Sequence, residues 1–197
     1  MAIEAPIKES VISTFIDQYK QNEYADLAKR AEDSCKRALS EKDIPHQTNS
    51  RGKAPESLRK KLEQRERKNG PYKTLKHIHN DIVDLAGARI ILERWEDRDL
   101  VKGIIYKIFD VQKEEYKKEE SGYEAVHYRV YLKQGGYLSG PHVTEMRPLV
   151  EIQVHFLYMA QWANDEHDIR YKASADPTRA LNNNLDIRLQ LVHLYEN

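Results

Sequence analysis

Cysteine is nearly absent from this chain. Its 197 residues include a single one, Cys35, so no disulfide can form within the chain. No apolar run approaches the roughly 20 residues that a membrane-spanning helix needs, and the first residues lack the charged and apolar regions of a signal peptide. We therefore expect a cytoplasmic protein in a reducing environment. Cys35 lies among charged residues of a predicted helix, where an inert thiol is a simpler interpretation than a nucleophile.

Several familiar motifs are also missing. The sequence contains no zinc-finger spacing, no GxxxxGK[ST] phosphate loop and no GxGxxG turn. Its 32 Lys and Arg residues balance 32 Asp and Glu residues, so the formal net charge is zero. Dedicated DNA-binding proteins usually carry a basic domain and a DNA-recognition motif. A dedicated DNA-binding protein is therefore not our first interpretation of this sequence. With 40% hydrophobic and 32% charged residues, the chain has the composition of a globular protein.

The neutral total hides a strong local charge. Between Arg51 and Lys76 the sequence has ten Lys or Arg residues and three Glu residues, a local charge of +7. Because the whole chain is neutral, the remaining residues carry −7. A segregated cationic patch on a neutral protein indicates a localised anionic ligand rather than general attraction to polyanions.

Helical patterns dominate the first 80 residues. Apolar residues at spacings of three and four predict helices over residues 7–42. Residues 46–53 are polar and read as extended chain or loop. Pro55 is well placed in a first helical turn, and the segment 69–71 is a strong helix stop. A short helix is predicted over 73–79.

The pattern then changes to short branched runs. Strands are predicted over Ala88–Glu93, Val111–Lys117, His127–Leu132 and Leu149–His155. Helices are predicted over residues 97–109, with Leu100, Ile104, Ile105 and Ile108 on one face, and over 158–171 and 181–195. Helices that flank a mixed sheet of about five strands give an α/β (α+β) fold. We expect a single domain over 1–197, with N-terminal helices over 7–42, a catalytic core over about 46–172 and a C-terminal helix over about 181–196.

Two acidic residues have conspicuous positions. Asp84 precedes a predicted buried strand, and Glu151 alternates with the apolar residues of another. Carboxylates at neighbouring strand ends can hold Mg²⁺ while the phosphates of a substrate complete its coordination. Taken singly, Asp84 reads as a turn acid and Glu151 as a solvent-facing strand residue.

Two further clusters combine aromatic and basic residues. In the segment 121–127, Tyr123 follows a glycine on a predicted loop and can stack on a base, and His127 can contact a phosphate. The alternative for this segment is a turn followed by an aromatic strand. Trp162, His167 and Tyr171 share a predicted helix, where core packing is the simpler interpretation.

In combination these pieces resemble the synthetase domain of the RelA/SpoT family, in particular the single-domain small alarmone synthetases. Five motifs carry the resemblance, in this order: Arg51-x-Lys53-x-x-x-Ser57, Asp84-x-x-Gly87-x-Arg89, Gly122-Tyr123-x-x-x-His127, Glu151-Ile152-Gln153, and Trp162 with His167-x-x-x-Tyr171-Lys172. Each motif is weak alone, but five in order are highly specific. They cover roughly the central three-fifths of the chain.

The resemblance implies a nucleotidyltransferase-like fold and transfer of the ATP β,γ-diphosphate to the 3′-hydroxyl of GDP or GTP, with Mg²⁺ as cofactor. It assigns the donor phosphates and adenine to the basic segment and the next strand: Arg51, Lys53, Ser57, Arg59, Lys61 and Arg89. Asp84 is implied as a metal ligand. Glu151 is implied as the base that deprotonates the acceptor hydroxyl and as a second metal ligand.

On the acceptor side the resemblance is less complete. Tyr123 is implied to stack on the acceptor base, with His127 near its phosphates and Gln153 as support. Relatives often carry a lysine before the Gly-Tyr pair and an arginine after Glu-Ile-Gln, whereas this chain has Glu119 and His155 near those positions. Two neighbouring lysines, Lys117 and Lys118, are the candidates to replace the missing lysine on the acceptor side.

This weaker match leaves the acceptor open. GMP, an adenine nucleotide or the 3′ CCA end of tRNA are alternatives to GDP and GTP. A non-catalytic module that binds nucleotide or RNA is the third class. The N-terminal and C-terminal helices have two possible roles. They can form homo-oligomers, as the terminal helices of small relatives often do, or both can pack within one chain.

Overall fold

The computed structural model describes residues 10–118, 124–133 and 148–156. Its helices are α1 (Val11–Gln18), α2 (Gln21–Ser40), α3 (Pro55–Asn69), α4 (Leu75–Asp81) and α5 (Arg98–Ile108), the last preceded by a single 3₁₀ turn. Its strands are β1 (His46–Gly52), β2 (Ala86–Leu92), β3 (Phe109–Lys118), β4 (Glu124–Leu132) and β5 (Val150–Phe156). The helices predicted over 158–171 and 181–195 lie outside the described residues.

The five strands form one mixed sheet in the order β1-β2-β5-β4-β3. β2 and β5 run parallel at the centre, and the other neighbours are antiparallel. β2 and β5 are neighbours in space although β3 and β4 separate them in the sequence, since β5 lies between β2 and β4. The prediction of a mixed sheet of about five strands with flanking helices is confirmed.

One face of the sheet supplies the core. Alternate residues of β2, β4 and β5 are buried there, and α2 and α5 lie against this face. Val150, Ile152 and Val154 line it on β5, as their alternation predicts. The intervening residues point to the opposite face, which we call the polar face. The strand period of two therefore separates an apolar side from a side that carries charged and polar groups.

A buried carboxylate fastens α2 to the edge strand β1. Glu32 of α2 accepts hydrogen bonds from Thr48 Oγ1 at 2.9 Å and Ser50 Oγ at 2.6 Å, and pairs with Lys29 at 3.0 Å. Burial raises the pKa of this carboxyl, but the three donors outweigh burial and hold its pKa below the ordinary value. A strand as polar as β1 is thus tied to the core side by hydrogen bonds rather than by apolar packing.

Some predicted details need correction. Leu100 does not join the apolar stripe of α5, because its side chain is 61% exposed and the buried positions are Val101 and Ile105. The predicted N-terminal helix is interrupted at Tyr19, whose extended backbone ends α1.

Cys35 is buried on α2, and burial raises the pKa of its thiol to about 12, which agrees with an inert role. Within the described part of the chain, no helix is both long and apolar enough to span a membrane.

Gly52 is required by the close approach of α2 to the end of β1. A Cβ at Gly52 would lie 2.5 Å from the Gln21 carbonyl oxygen and 2.9 Å from the Ala25 amide nitrogen, both backbone atoms that cannot rotate away. We expect Gly52→Ala to lower the free energy of unfolding by about 1–3 kcal/mol, as overpacking does. Urea unfolding measures this.

Gly103 provides the matched control. It lies in α5, is exposed, and a Cβ there would meet no atom within 4 Å. Gly103→Ala should raise the free energy of unfolding by about 1 kcal/mol, because alanine favours the helix. Equal effects of the two substitutions would contradict the close approach of α2 to β1.

Candidate active site

The residues predicted to carry chemistry meet at one edge of the sheet. β1 ends there at Gly52, and β2 and β5 begin there, since Ala86 pairs with both Gly52 and Val150. Asp84 lies in the segment just before β2, and Glu151 is the second residue of β5. Gly87 is the cross-strand partner of Glu151. The structure thus brings together two acidic residues that are 67 positions apart in the sequence.

Asp84 is held by two lysines. Lys53 Nζ donates a hydrogen bond to Oδ2 at 2.7 Å, and Lys61 Nζ forms an ion pair with Oδ1 at 2.8 Å. Burial raises the pKa of the Asp84 carboxyl, but the two ammonium groups outweigh burial and lower its pKa below the ordinary value. Asp84 is therefore ionised, and each of its oxygens faces a positive charge.

Local structure fixes both lysines. The backbone N–H of Lys53 donates to the Leu85 carbonyl at 2.9 Å, and the Lys53 carbonyl accepts from the Tyr19 hydroxyl at 2.7 Å. Lys61 lies on α3 between Leu58 and Leu62, which are both fully buried and set the orientation of the helix. The ion cluster therefore joins the end of β1, the basic helix and the segment before β2.

Glu151 has neutral or weakly basic neighbours instead. Gln153 Nε2 donates to its Oε2 at 2.8 Å, and His127 Nδ1 lies 3.4 Å from its Oε1. Burial raises the pKa of the Glu151 carboxyl, but the contacts with His127 and Gln153 outweigh it, so that the net pKa is lowered. The charge of Asp84 acts in the opposite direction and raises it. The two carboxylates are therefore close enough to repel each other.

His155 completes a row along β5. Its side chain is 1% exposed, and its Nε2 lies 3.5 Å from Gln153 Oε1. Burial lowers the pKa of His155 to about 3, with help from the positive charge of Arg89. His155 is thus a neutral group beside Gln153. The sequence showed it only as a departure from the family pattern, although its alternation with Gln153 already placed it on the polar face.

A gap in the side chains lies beside Glu151. Gly87 has no side chain, and a Cβ there would come no closer to another group than 4.0 Å from the Arg51 carbonyl oxygen. The register places Arg51 and Glu151 on either side of this glycine and Arg89 next to Gln153. A polyanion bound across Gly87 would therefore lie near the guanidinium groups of Arg51 and Arg89, with the carboxylate of Glu151 at one end.

The outer strands add charges that the sequence did not single out. Arg129 is the cross-strand partner of Glu151, and Glu115 is that of His127. Glu115 forms ion pairs with Lys117, Lys113 and Arg129. Lys117 therefore shares the polar face, whereas alternation turns Lys118, the next residue, to the opposite face.

Other predicted residues flank the edge or fall outside the described part. Arg51 and Ser57 are exposed, and Arg59 is half-buried on the first turns of α3. Tyr123, Trp162, His167, Tyr171 and Lys172 lie outside the described residues. Tyr19 was not predicted to belong to the site, but its hydroxyl supports the site by donating a hydrogen bond to the Lys53 carbonyl.

The two carboxylates suit a divalent cation that brings most of its own ligands. The described residues contain no group of three or more His, Cys, Asp or Glu side chains that could hold a metal ion. Mg²⁺ usually takes only one or two protein carboxylates and completes its octahedron with water and substrate phosphates. Asp84 and Glu151, both ionised and close together, fit this pattern, and a zinc-type cage does not.

Comparison with known proteins shows the family of this chain. A family model described as the region found in RelA / SpoT proteins matches residues 50–176, and the chain therefore belongs to the RelA/SpoT family. It is 33% identical over 120 residues to GTP pyrophosphokinase YjbM of Bacillus subtilis (strain 168). That alignment covers 58% of this chain and 53% of the relative, so the chain matches about half of the relative's length.

Solved structures extend the match in space. The small alarmone synthetase 1 of Bacillus subtilis, bound to its product pppGpp, aligns with a TM-score of 0.62 and 27% identity over 88% of this chain and 86% of that chain. A GTP pyrophosphokinase family protein from Streptococcus pneumoniae aligns with a TM-score of 0.70 over 88% and 86% of the two chains. At 22% identity the second match speaks for the fold alone.

The buried histidine predicts a pH-dependent stability. Folded His155 stays neutral down to about pH 3, whereas an unfolded histidine takes up a proton below about pH 6.5. The unfolded state then binds more protons, so stability falls as the pH drops through this window. Between pH 6 and 5 the wild type should lose about 1 kcal/mol more than His155→Gln. Urea titrations at pH 7, 6 and 5 measure the difference, and parallel pH profiles would contradict it.

Proposed function

We propose that this protein is an ATP-dependent pyrophosphokinase that makes (p)ppGpp-type alarmones. The reaction would join the β,γ-diphosphate of ATP to the 3′-hydroxyl of a guanine nucleotide, GDP or GTP and also GMP. The single observation that supports it best is the meeting of Lys53, Lys61, Asp84 and Glu151 at one sheet edge. Family membership and the pyrophosphokinase relative point to the same activity. The nucleotide substrates agree with a cytoplasmic location.

The basic segment suits the donor. Its side chains begin at the end of β1 and continue onto the first two turns of α3: Arg51, Lys53, Ser57, Arg59 and Lys61. Ammonium and guanidinium groups neutralise phosphate charge, and the planar guanidinium also stacks on rings. These residues would hold the ATP phosphates and flank the adenine, with Arg89 beside Gly87 on the polar face.

Asp84 and Glu151 would divide the remaining work. A Mg²⁺ ion, when bound by Asp84 with Glu151 as second ligand, would neutralise charge on the transferred diphosphate. Glu151 would accept the proton of the acceptor 3′-hydroxyl while that oxygen bonds to the β-phosphorus and the bond to the α-phosphate breaks, releasing AMP. His127 and Gln153 contact both oxygens of Glu151 and would keep it oriented.

The acceptor side rests on fewer described residues. We place Tyr123 against the acceptor base and His127 and Lys117 near the acceptor phosphates, and we leave out Lys118, which alternation turns to the opposite face of the sheet. We also propose that the chain forms homo-oligomers through its terminal helices.

Removing the base should separate binding from chemistry. We expect Glu151→Gln to lower turnover by about 10²–10⁴-fold, the usual contribution of a general base, while ATP still binds. Rapid-quench assays for turnover and calorimetry for ATP binding measure the two quantities. Glu93→Gln is the control, because Glu93 is exposed just beyond β2 and should leave turnover unchanged. Near-full turnover of Glu151→Gln would remove this residue from the mechanism.

A panel of acceptors tests the function itself. Purified protein with labelled ATP and Mg²⁺ is incubated with GMP, GDP, GTP, AMP, ADP or tRNA. The proposal expects labelled diphosphate on a guanine nucleotide, together with AMP. Transfer to tRNA or to an adenine nucleotide would identify the other acceptor classes. No product with any acceptor would leave only a binding module.

A further inference from the structure

The two lysines of the donor segment contact the proposed metal ligand rather than solvent. Each oxygen of Asp84 faces one ammonium, from Lys53 at 2.7 Å and from Lys61 at 2.8 Å. The side chains of Lys53 and Asp84 are only 13% and 20% exposed, so water screens their attraction poorly. Both oxygens of Asp84 are therefore engaged in ion pairs with ammonium groups.

Hydrogen bonds and packing fix the backbones that carry these three side chains. Lys53 is fixed by hydrogen bonds of its own backbone to Tyr19 and Leu85, and the segment that carries Asp84 is part of the same backbone pairing. Lys61 is fixed by a helix whose neighbouring leucines are fully buried. The backbones that carry all three side chains are therefore held close to one another.

A free divalent cation meets an unfavourable cluster at this place. Lys53, Lys61 and Asp84 together carry a formal charge of +1, and Glu151 is a further carboxylate close enough to interact electrostatically with Asp84. A bound cation would have to displace two ammonium groups and then remain near them. Metal affinity in the absence of nucleotide should be low for this reason.

A polyphosphate changes this balance. It offers several anionic oxygens, and the same lysines are the cations proposed to bind them. When the ammonium groups move to phosphate, Asp84 loses its counter-ions while it stays in a half-buried position next to Glu151. An uncompensated pair of carboxylates is then ready to receive a cation that arrives with the nucleotide.

We propose that Lys53 and Lys61 mask Asp84 from metal ions in the free protein and transfer from Asp84 to the donor phosphates, so that nucleotide binding uncovers the metal ligand. This proposal rests on the proposed use of a triphosphate donor. Each lysine then has two alternative partners, Asp84 and the donor phosphates, and Asp84 pairs either with the lysines or with the metal ion. Metal and nucleotide therefore bind cooperatively.

The first test titrates Mn²⁺ into the full chain without nucleotide, with the EPR signal of free Mn²⁺ as the readout. Lys61→Met should bind Mn²⁺ at least about tenfold more tightly than the wild type, because one like charge near the carboxylate is gone. Lys61→Gln is the second variant should the first unfold. Adding Asp84→Asn to either variant should abolish the gain.

A neighbouring lysine supplies the charge-matched control. Lys60 is next to Lys61 on α3 but pairs with Glu56 at 3.1 Å, and its side chain is exposed. Lys60→Met removes the same charge from the same helix, and it should change Mn²⁺ affinity by less than about twofold. If Lys60→Met and Lys61→Met act equally, the effect is general electrostatics and the masking is wrong.

The second test measures ATP binding by calorimetry in the presence of EDTA. Asp84→Asn should bind metal-free ATP about 3–10-fold more tightly than the wild type, because the lysines no longer have to leave a carboxylate. Asp81→Asn is the control, since Asp81 pairs with Arg65 at 2.7 Å, one helical turn beyond Lys61. It should change the affinity by less than about twofold.

The two tests fail in different ways. Wild type and Lys61→Met with equal Mn²⁺ affinity would show that the lysines do not mask Asp84. Unchanged binding of metal-free ATP by Asp84→Asn would show that Asp84 does not compete with phosphate. Either result overturns the proposal. If neither protein binds ATP under any condition, the proposed function fails, and the Mn²⁺ titration still decides the masking alone.

Discussion

The contact of Asp84 with two lysines is the interaction on which the site depends. One lysine follows β1, the other lies on α3, and the aspartate precedes β2, so a single carboxylate joins three elements. Partly buried charges of this kind are costly when one partner is missing. The backbone pairing of Lys53 with Leu85 and the Tyr19 hydroxyl keep the partners in place without relying on the ion pairs alone.

The same cluster explains how a neutral protein tolerates a segment of charge +7. The basic helix α3 presents its cations in two directions. Lys61 and Arg65 face inward and meet Asp84 and Asp81, whereas Arg67 and Lys68 are exposed at its end. Asp81 also accepts from the Tyr72 hydroxyl at 2.5 Å, which closes the turn between α3 and α4. The inward acids thus neutralise part of the patch, and the donor-side cations keep a fixed geometry.

Much of the sheet could be predicted because its signal is local. Alternation along β5 placed Glu151 and Gln153 on one face and the valines on the other, and the structure has this pattern. The contact of Lys61 with Asp84 could not be predicted, since it depends on how α3 packs through Leu58 and Leu62. The prediction that Leu100 joins the apolar stripe of α5 was wrong for the same reason. Helical spacing defines a stripe of apolar residues, but it does not show which edge of that stripe the sheet covers.

The acceptor side was also harder to predict, for a different physical reason. Its described charges come from cross-strand pairing, as with Arg129 opposite Glu151 and Glu115 opposite His127. Pairing of this kind is decided by strand order, and β5 enters the sheet between β2 and β4. A linear motif lists the residues of one strand and cannot show which neighbours the register will bring alongside.

The two carboxylates of the site differ in what holds them, and the difference matches the roles proposed for them. Asp84 is bound by full positive charges, which a polyphosphate can draw away. Glu151 is held by the amide of Gln153 at 2.8 Å and by the imidazole of His127, whose Nδ1 lies 3.4 Å away, and no lysine is among these contacts. An amide orients a carboxylate without adding a full positive charge, so this contact leaves Glu151 more affinity for a proton or a cation than an ammonium partner would. The residue proposed as the base and the residue proposed as the metal ligand can therefore lie side by side at one sheet edge, each with a different kind of partner.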